Sequence, residues 1–223
     1  MSGGLLFSQM EPPAGQEAEF HDWYNGEHIP ARMAIPGFES ATRYEALTGE
    51  PRYLACYFLD DLGALDTPEY KELKANPGAR TERMLGSVLG FTRYICESLS
   101  DTGPADEEAG VMFATTFSVP DSAADEFEDW YEDEHVGLLM KVPGWIRVRR
   151  YRRRGDSFDG PPWTHFALHE IRDEATLDRP ERAVARDTPR RDALASREWF
   201  RDTGRWTYRP IHTATATHDG RKD

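Results

Sequence analysis

Two short segments of the chain combine side chains that are suited to acid–base chemistry. Tyr24 and His28 are four residues apart, and the same spacing separates Tyr131 from His135. Residues four apart share one face of a helix. A neutral imidazole can accept or donate a proton near pH 7, so the two histidines are candidate catalytic residues and the two tyrosines candidate substrate-binding residues. The alternative is that each histidine stabilises the C-terminal end of a helix, where the helix dipole favours positive charge.

A second set of candidates lies on a predicted strand in each half of the chain. At a shift of 112 residues Tyr53 aligns with His165, and the same shift aligns Tyr57 with His169. Side chains alternate between the two faces of a strand. We expect the apolar face to lie under the helices of the same half, and the Tyr/His face to point away from them into a lumen shared with the other sheet. There, His169 and Tyr57 are candidate catalytic residues. Tyr53 and His165 are candidate substrate-binding residues, unless all four are packing residues whose polar tips find partners.

These residues predict chemistry without a metal or cofactor. His165 and His169 are about 13 Å apart on a strand, at about 3.3 Å per residue, which is too far for one ion. The sequence contains no GxGxxG, P-loop, GxSxG or HExxH pattern. The alternative is a haem, with one lumen histidine as its axial ligand.

The helical segments belong to a longer repeat. Residues 20–28 recur at residues 127–135, and the same shift of 107 relates Pro36-Gly37 to Pro143-Gly144. Residues 65–69 recur at residues 177–181 with a shift of 112, which places five additional residues in the second half, in a lengthened hairpin loop at residues 152–162. A register kept over this length indicates a tandem duplication.

Each half shows the same order of predicted elements, βαββαβ, which is the ferredoxin-like arrangement. The first helices are expected at residues 16–33 and 122–140, with Asp121 or Ser122 capping the second of them. We therefore expect an α+β protein with one ferredoxin-like unit at residues 1–100 and another at residues 111–212. Residues 101–110 are the expected linker and residues 213–223 an expected disordered tail. The two sheets should face each other around a pseudo-twofold axis.

The composition excludes several classes of protein. The 223 residues carry a net charge of −13, which disfavours nucleic acid and anionic membranes as partners. No stretch approaches the roughly 20 apolar residues of a membrane span, and the N-terminus has no signal-peptide pattern. Cys56 and Cys96 are expected to be small buried residues. We expect a cytoplasmic protein with a small-molecule substrate, and a homodimer of the whole chain is left open.

The pattern Phe-x-Asp-Trp-Tyr-x-x-Glu-His, followed by Pro-Gly and an aromatic residue, resembles the EthD-like branch of the dimeric α/β-barrel superfamily. The resemblance covers both halves and implies an intramolecular dimeric α/β barrel. That superfamily includes muconolactone-type isomerases, polyketide cyclases, monooxygenases and haem-degrading oxygenases. In its methylmuconolactone-isomerase-like members, a histidine eight residues before the Pro-Gly proline lines the cavity, which points to His28 and His135. The first half keeps the family-like Glu-His-Ile-Pro sequence, whereas the second has Glu-His-Val-Gly, so we expect unequal roles and favour His28.

The predicted function is a small-molecule enzyme that uses His/Tyr acid–base chemistry in the barrel lumen. Isomerisation, cyclisation, decarboxylation and cofactor-free monooxygenation of an aromatic, lactone or polyketide-like substrate all need these parts. The alternative is a non-catalytic ligand-binding, haem-binding or stress-type protein that uses the same cavity. The basic run at residues 147–154 is interpreted as a solvated strand edge and hairpin, or else as a rim that attracts an anionic substrate.

Overall fold

The computed structural model describes residues 3–216, and eight strands in this range close into one antiparallel barrel. The strands are β1 (Gly4–Glu11), β2 (Phe38–Thr48), β3 (Tyr53–Leu59), β4 (Leu89–Thr102), β5 (Val111–Phe117), β6 (Trp145–Arg153), β7 (His165–Ile171) and β8 (Thr203–Thr215). Around the barrel their order is β4-β1-β3-β2 and then β8-β5-β7-β6. Each half therefore contributes a four-stranded ferredoxin-like sheet with the same strand order, which confirms the predicted fold class.

The last strand of each half joins the two sheets. The first part of β4 pairs with β1 of its own half, and its continuation pairs with β6 of the other half. In the same way β8 pairs first with β5 and then with β2. Both strands are long because their second parts form hydrogen bonds with the edge strand of the other sheet. The expected linker consequently loses its first residues to β4. Thr213–Thr215 belong to β8, and the rest of the expected tail, from residue 217, lies outside the described residues.

Helices cover the outside of the barrel. The first half contains α1 (Glu17–Trp23), α2 (Ile29–Met33), α3 (Pro68–Ala75) and α4 (Ala79–Ser87), and the second contains α5 (Asp121–Trp130), α6 (Gly137–Leu139), α7 (Glu181–Arg186), α8 (Pro189–Ala195) and α9 (Glu198–Arg201). The expected side-chain cap on α5 is wrong: Pro120 occupies the cap position, and no side chain there accepts a backbone hydrogen bond. Among the described residues, no helix is both long and apolar enough to cross a membrane.

Three hydrophobic clusters hold these layers together. One cluster draws on all eight strands and fills the barrel; Leu54 and Cys56 of β3 and Phe166 and Leu168 of β7 belong to it. The other two clusters each lie between one half's sheet and its own helices. Both faces of each sheet are therefore buried, as in a two-layer packing around closed strands. Cys56 and Cys96 are buried and free, as expected.

The Pro-Gly turns after the first helices fix the path into β2 and β6. Gly37 and Gly144 have φ values of +91° and +92°, a region that L side chains rarely adopt. A Cβ atom on Gly37 would lie 2.6 Å from Cβ of Ala64, and one on Gly144 would lie 2.6 Å from Oγ1 of Thr176. Glycine is thus required at both turns by backbone conformation and by close approach.

Candidate active site

The Tyr/His face of each sheet points toward the helices of its own half, which overturns the expected lumen. Tyr53 and Tyr57 pack in the cluster that contains Phe20, Trp23 and Tyr24 of the first helix. His169 lies in the equivalent layer of the second half, where its Nε2 is 3.0 Å from the hydroxyl of Tyr131. The barrel interior receives the alternate, more apolar positions instead. Strand alternation was predicted correctly, but the assignment of the two faces was wrong.

Each half therefore carries its own cavity, between sheet and helices. We call them the first cavity, of about 510 Å³ in the first half, and the second cavity, of about 450 Å³ in the second half. Tyr24, His28 and Tyr57 line the first cavity. Tyr131, His135 and His169 line the second. The structure thus brings together six of the eight sequence-predicted site residues, in two groups of three.

Tyr53 and His165 line neither cavity. Tyr53 packs edge-on against His21, with ring centroids 4.9 Å apart. His165 is 4% exposed, and its Nε2 lies 2.9 Å from a carboxylate oxygen of Glu128. Both residues are packing residues of the sheet–helix layer, so the structure places them away from the predicted substrate-binding role.

A π-helical turn positions the histidine of each motif. Tyr24–His28 forms such a turn between α1 and α2, and Tyr131–Val136 forms one between α5 and α6. A π turn carries one more residue per turn than an α-helix and is frequent at functional sites. The helix continues beyond both histidines, so neither stabilises a helix C-terminus, and that alternative is wrong.

His28 is a buried, neutral imidazole in the wall of the first cavity. The residue is 5% exposed, and its Nδ1 has no hydrogen-bond partner in the described part of the chain. Burial, reinforced by the cations of Arg32 and Arg43, holds the pKa of His28 well below its usual value. The ring is therefore uncharged at neutral pH, and its unprotonated nitrogen is available as a proton acceptor.

Tyr57 and Arg32 supply two donors beside His28. The Tyr57 hydroxyl lies next to that of Tyr24 but is buried without a well-formed hydrogen bond, and burial raises its pKa well above the usual value. The Arg32 guanidinium stacks 5.5 Å from the Tyr57 ring centroid and donates to the carbonyl oxygen of His28 at 3.1 Å, while its Nε has no partner. Sequence reasoning did not single out Arg32, although it stands four residues after His28 on the same helix.

The lengthened loop of the second half covers the first cavity. Arg93 and Asp159 exchange two backbone hydrogen bonds, of 2.9 and 3.0 Å, and Asp159 lines the cavity. The Tyr94 hydroxyl also donates to the carbonyl oxygen of Pro161 at 2.8 Å. The loop that holds the five additional residues of the second half therefore forms part of the wall of the first cavity.

In the second cavity the two histidines are held by different partners. Nδ1 of His135 lies 3.0 Å from the carbonyl oxygen of Ala185. Because a carbonyl only accepts, Nδ1 carries the proton. Burial, partly offset by this hydrogen bond, lowers the pKa of His135 to about 4. Burial, and then His135 itself, also holds the pKa of His169 well below its usual value.

A matched arginine supports the motif tyrosine in both halves. Arg43 lies 4.3 Å from the ring centroid of Tyr24 and donates to Asn25, while Arg150 lies 4.6 Å from that of Tyr131 and donates to Glu132. The arginine, the tyrosine and the residue that accepts the arginine's hydrogen bond all stand at positions related by the shift of 107 residues. Such cation–π contacts on a desolvated ring contribute about 2 kcal/mol.

The basic run on β6 is neither a solvated edge nor an anion-attracting rim. β6 is paired on both sides, with β7 and with β4, so it is an interior strand of the barrel. Its arginines form ion pairs with carboxylates on neighbouring elements: Arg147 with Asp101, Arg149 with Glu170, Arg150 with Glu132, and Arg152 with Glu97 and Glu128. The charges of these four arginines are neutralised within the protein, which corrects both interpretations for them, whereas Arg153 and Arg154 form no ion pair within residues 3–216.

The described residues contain no group of three or more His, Cys, Asp or Glu side chains placed to hold a metal ion. The side chains that line the two cavities can transfer a proton by imidazole and can donate from phenol and guanidinium groups to a developing anion.

Comparison with solved structures shows the fold. An anthrone oxidase-like protein superposes with a TM-score of 0.69 at 14% identity, covering 98% of this chain and 94% of that one. A protein provisionally named a monooxygenase, from Fusobacterium nucleatum, gives a TM-score of 0.61 at 10% identity over 96% and 94% of the two chains. A ferredoxin-fold protein related to antibiotic biosynthesis monooxygenases, from Listeria monocytogenes, gives 0.51 at 8% over 95% and 96%.

Sequence comparison adds no further relative. No family model matches the chain, and no curated protein matches it. The structural likenesses extend over nearly the whole chain and show its fold, a closed antiparallel barrel made of two ferredoxin-like sheets.

Proposed function

We propose that the chain is a cofactor-independent enzyme that acts on an enolisable aromatic or polyketide-like molecule in the first cavity. One observation carries the proposal: Nδ1 of His28 and Nε of Arg32 are buried without partners among the described residues, and both residues line one cavity with Tyr57, whose hydroxyl contacts only that of Tyr24. Orphaned buried polar atoms cost free energy unless a ligand satisfies them. The rest of the wall is largely apolar, with Leu6, Met10, Leu73, Leu85 and Phe91.

These three residues have distinct roles in the proposed chemistry. His28 accepts a proton from a phenol or from a carbon next to a carbonyl. The Tyr57 hydroxyl and the Arg32 guanidinium then stabilise the negative oxygen of the phenolate or enolate. A strongly lowered pKa makes His28 a weak base in the empty cavity. The anion that forms beside it offsets this, because an opposite charge nearby raises the pKa of an imidazole.

Among the candidate reactions we place cofactor-free oxygenation first. The support is an analogy of fold, since an anthrone oxidase-like protein and a protein provisionally named a monooxygenase share this barrel. The substrate anion is the electron donor and O2 the oxidant. A ring methylene becomes a carbonyl, one oxygen atom enters the product, and the other leaves as water with the two hydrogens of the methylene. No external reductant is needed.

We also propose that the two halves are fused EthD-like units that arose by tandem duplication. The support is that strand order, the π-helical turn and the stacked arginine recur at matching positions. The halves have diverged at the cavity: Leu139 replaces Arg32, and His169 replaces Tyr57. The proposal therefore assigns the reaction to the first cavity alone.

Oxygen uptake with a phenolic anthrone such as 1,8-dihydroxy-9-anthrone tests this function. We expect uptake with formation of the corresponding quinone, unchanged after dialysis of the protein against a chelator. The His28→Gln variant should lose about 10²–10⁴-fold in turnover, while His135→Gln, its counterpart in the second half, should keep most of it. Failure of anthrones, phenols and lactones to react would exclude the enzyme.

The alternative is a non-catalytic ligand-binding or haem-binding protein. The hydrogen bond from His135 to the carbonyl of Ala185 favours it, because a ligating histidine commonly donates its second ring proton to a carbonyl. His169 fits less well, since its Nε2 is engaged with Tyr131. Titration with haem distinguishes these functions. If the protein shows no turnover, and if haem gives a Soret band that is lost in His135→Gln, the protein is a haem binder and not the proposed enzyme.

A further inference from the structure

The second cavity carries four arginines that the proposed reaction does not use. We propose that this cavity is a separate binding site for an aromatic carboxylate. The carboxylate would lie among Arg182, Arg186, Arg191 and Arg205, and the aromatic body would fill the space beneath them.

The four arginines are unpaired cations in an acidic protein. Within residues 3–216, no Asp or Glu forms an ion pair with any of them, although the net charge of the chain is −13. Their hydrogen bonds within the protein go to backbone carbonyls, from Arg182 to Leu177 at 2.7 Å and from Arg191 to Arg186 at 2.9 Å. By contrast, Arg147, Arg149, Arg150 and Arg152 on β6 are each paired with a carboxylate. Guanidinium groups left free in this way match a carboxylate.

The surroundings of the cluster do not neutralise it. Asp178 lines the cavity and acts on Arg182, and Asp187 and Asp192 act on Arg191, but none of the three is within ion-pair distance. Burial and the repulsion of Arg186 lower the pKa of Arg182, Arg191 and Arg205. A bound anion offsets the repulsion between these arginines, and this contributes to the free energy of binding.

The interior of the cavity provides the second, independent observation. Nδ1 of His169 is buried without a hydrogen-bond partner among the described residues, and His169, which is 2% exposed, lines the cavity. One polar atom at the base, Nδ1 of His169, is thus free to contact a ligand group. Between the base and the arginines the walls are aromatic, formed by Phe113, Phe117, Trp145 and Phe200. Arg186 and Arg205 are exposed, which places the charged end at the mouth.

These features specify the shape and charge of the ligand. It has a flat apolar body that packs against aromatic rings, an anionic group at the mouth, and room for a hydrogen-bonding group at the base. The first cavity does not match this description, because Glu27 and Asp159 stand among its charged lining residues with Arg32, Lys74 and Arg93. The two cavities of one chain therefore select ligands of different charge.

Binding of 2-naphthoate, followed by isothermal titration at low salt and by tryptophan fluorescence, tests this site. Its neutral analogue 2-naphthalenemethanol is the matched ligand. We expect naphthoate to bind at least about tenfold more tightly, since its carboxylate accepts charge-assisted hydrogen bonds from the guanidinium groups, which the neutral analogue does not. The difference should shrink as salt is added, because the mouth is exposed.

Variants locate the site on the protein. Arg186→Gln and Arg205→Gln should each weaken naphthoate about three- to tenfold and leave the neutral analogue unchanged. Arg190→Gln is the control, because Arg190 is an exposed arginine on α8 that does not line the cavity. The result is independent of the proposed function, since His28→Gln should bind naphthoate like the wild type. Equal affinity for the two ligands, equal loss in Arg190→Gln, or equally tight binding of inorganic phosphate would overturn the proposal.

Discussion

Asp159, in a loop of the second half, lies in the wall of the first cavity and is joined there to Arg93 of β4 by two backbone hydrogen bonds. The same loop stacks Phe158 on Tyr94, with ring centroids 6.0 Å apart. The two halves are thus not independent sites on one barrel. The second half closes the cavity of the first.

Removal of residues 156–160 should open the first cavity. The deletion takes out the wall formed by Asp159 and the stacking ring of Phe158. We expect about tenfold weaker binding of an apolar aromatic ligand there, measured anaerobically with 1,8-dihydroxy-9-anthrone. Loss of the ring pair should cost about 0.5–1.5 kcal/mol of unfolding free energy. Naphthoate binding in the second cavity serves as the control and should not change. Undiminished anthrone affinity would show that the loop is not part of the site.

The two motif histidines should differ in their effect on turnover. His28→Gln removes the proposed base of the first cavity, whereas His135→Gln alters a ring that is tied to Ala185. We expect the first variant to lose turnover with little change in melting temperature, and the second to change mainly in stability. Turnover and melting temperature are measured on the two variants side by side. If neither loses activity, the reaction must be assigned to other groups, with the His169–Tyr131 pair first among them.

Acid should destabilise the folded protein at a pH where most carboxylates are still charged. His135 titrates near 6.5 when unfolded and at about 4 when folded. The unfolded chain therefore takes up the proton first, and stability that is present above about pH 6.5 is lost as the pH falls toward about 4. The loss should reach about 3 kcal/mol for this residue. His28 and His169 shift in the same direction. Urea unfolding from pH 7.5 to 4.5 measures the slope, which His135→Gln should flatten; an unchanged slope would contradict the assignment.

The motif tryptophans should matter for folding and not for chemistry. Trp23 is fully buried and Trp130 is 2% exposed, and their indole N–H groups donate to Thr81 and Glu134. Trp23→Ala and Trp130→Ala should each reduce the free energy of unfolding by about 3–5 kcal/mol. Trp→Phe at either position should restore most of it. A Trp→Ala variant that unfolds like the wild type but fails to bind ligand would show a site role instead.

The amino-acid sequence by itself determined the architecture. The constant register between residues 20–28 and 127–135 gave two equivalent units, and the alternation of strand and helix patterns gave βαββαβ in each. These features are local, because hydrophobic periodicity and turn residues such as Gly37 act within a few residues. The Tyr-x-x-x-His spacing likewise predicted which side chains share a helix face and so enter one cavity.

Only the tertiary structure decided which face of each sheet meets the helices and which charges remain free. Strand alternation separates Tyr57 from Cys56, but it does not say which of the two points into the barrel, because both faces are buried in a closed barrel covered by helices. In the folded chain the Tyr57 ring packs in the layer under the helices, while Cys56 lies in the barrel interior with rings such as Phe166 and Trp206. In the same way, Arg149 and Arg186 are equivalent charges in the sequence. Arg149 is neutralised by Glu170 on the neighbouring strand β7, and Arg186 has no ion-pair partner within residues 3–216, because pairing depends on distances that only the folded chain fixes.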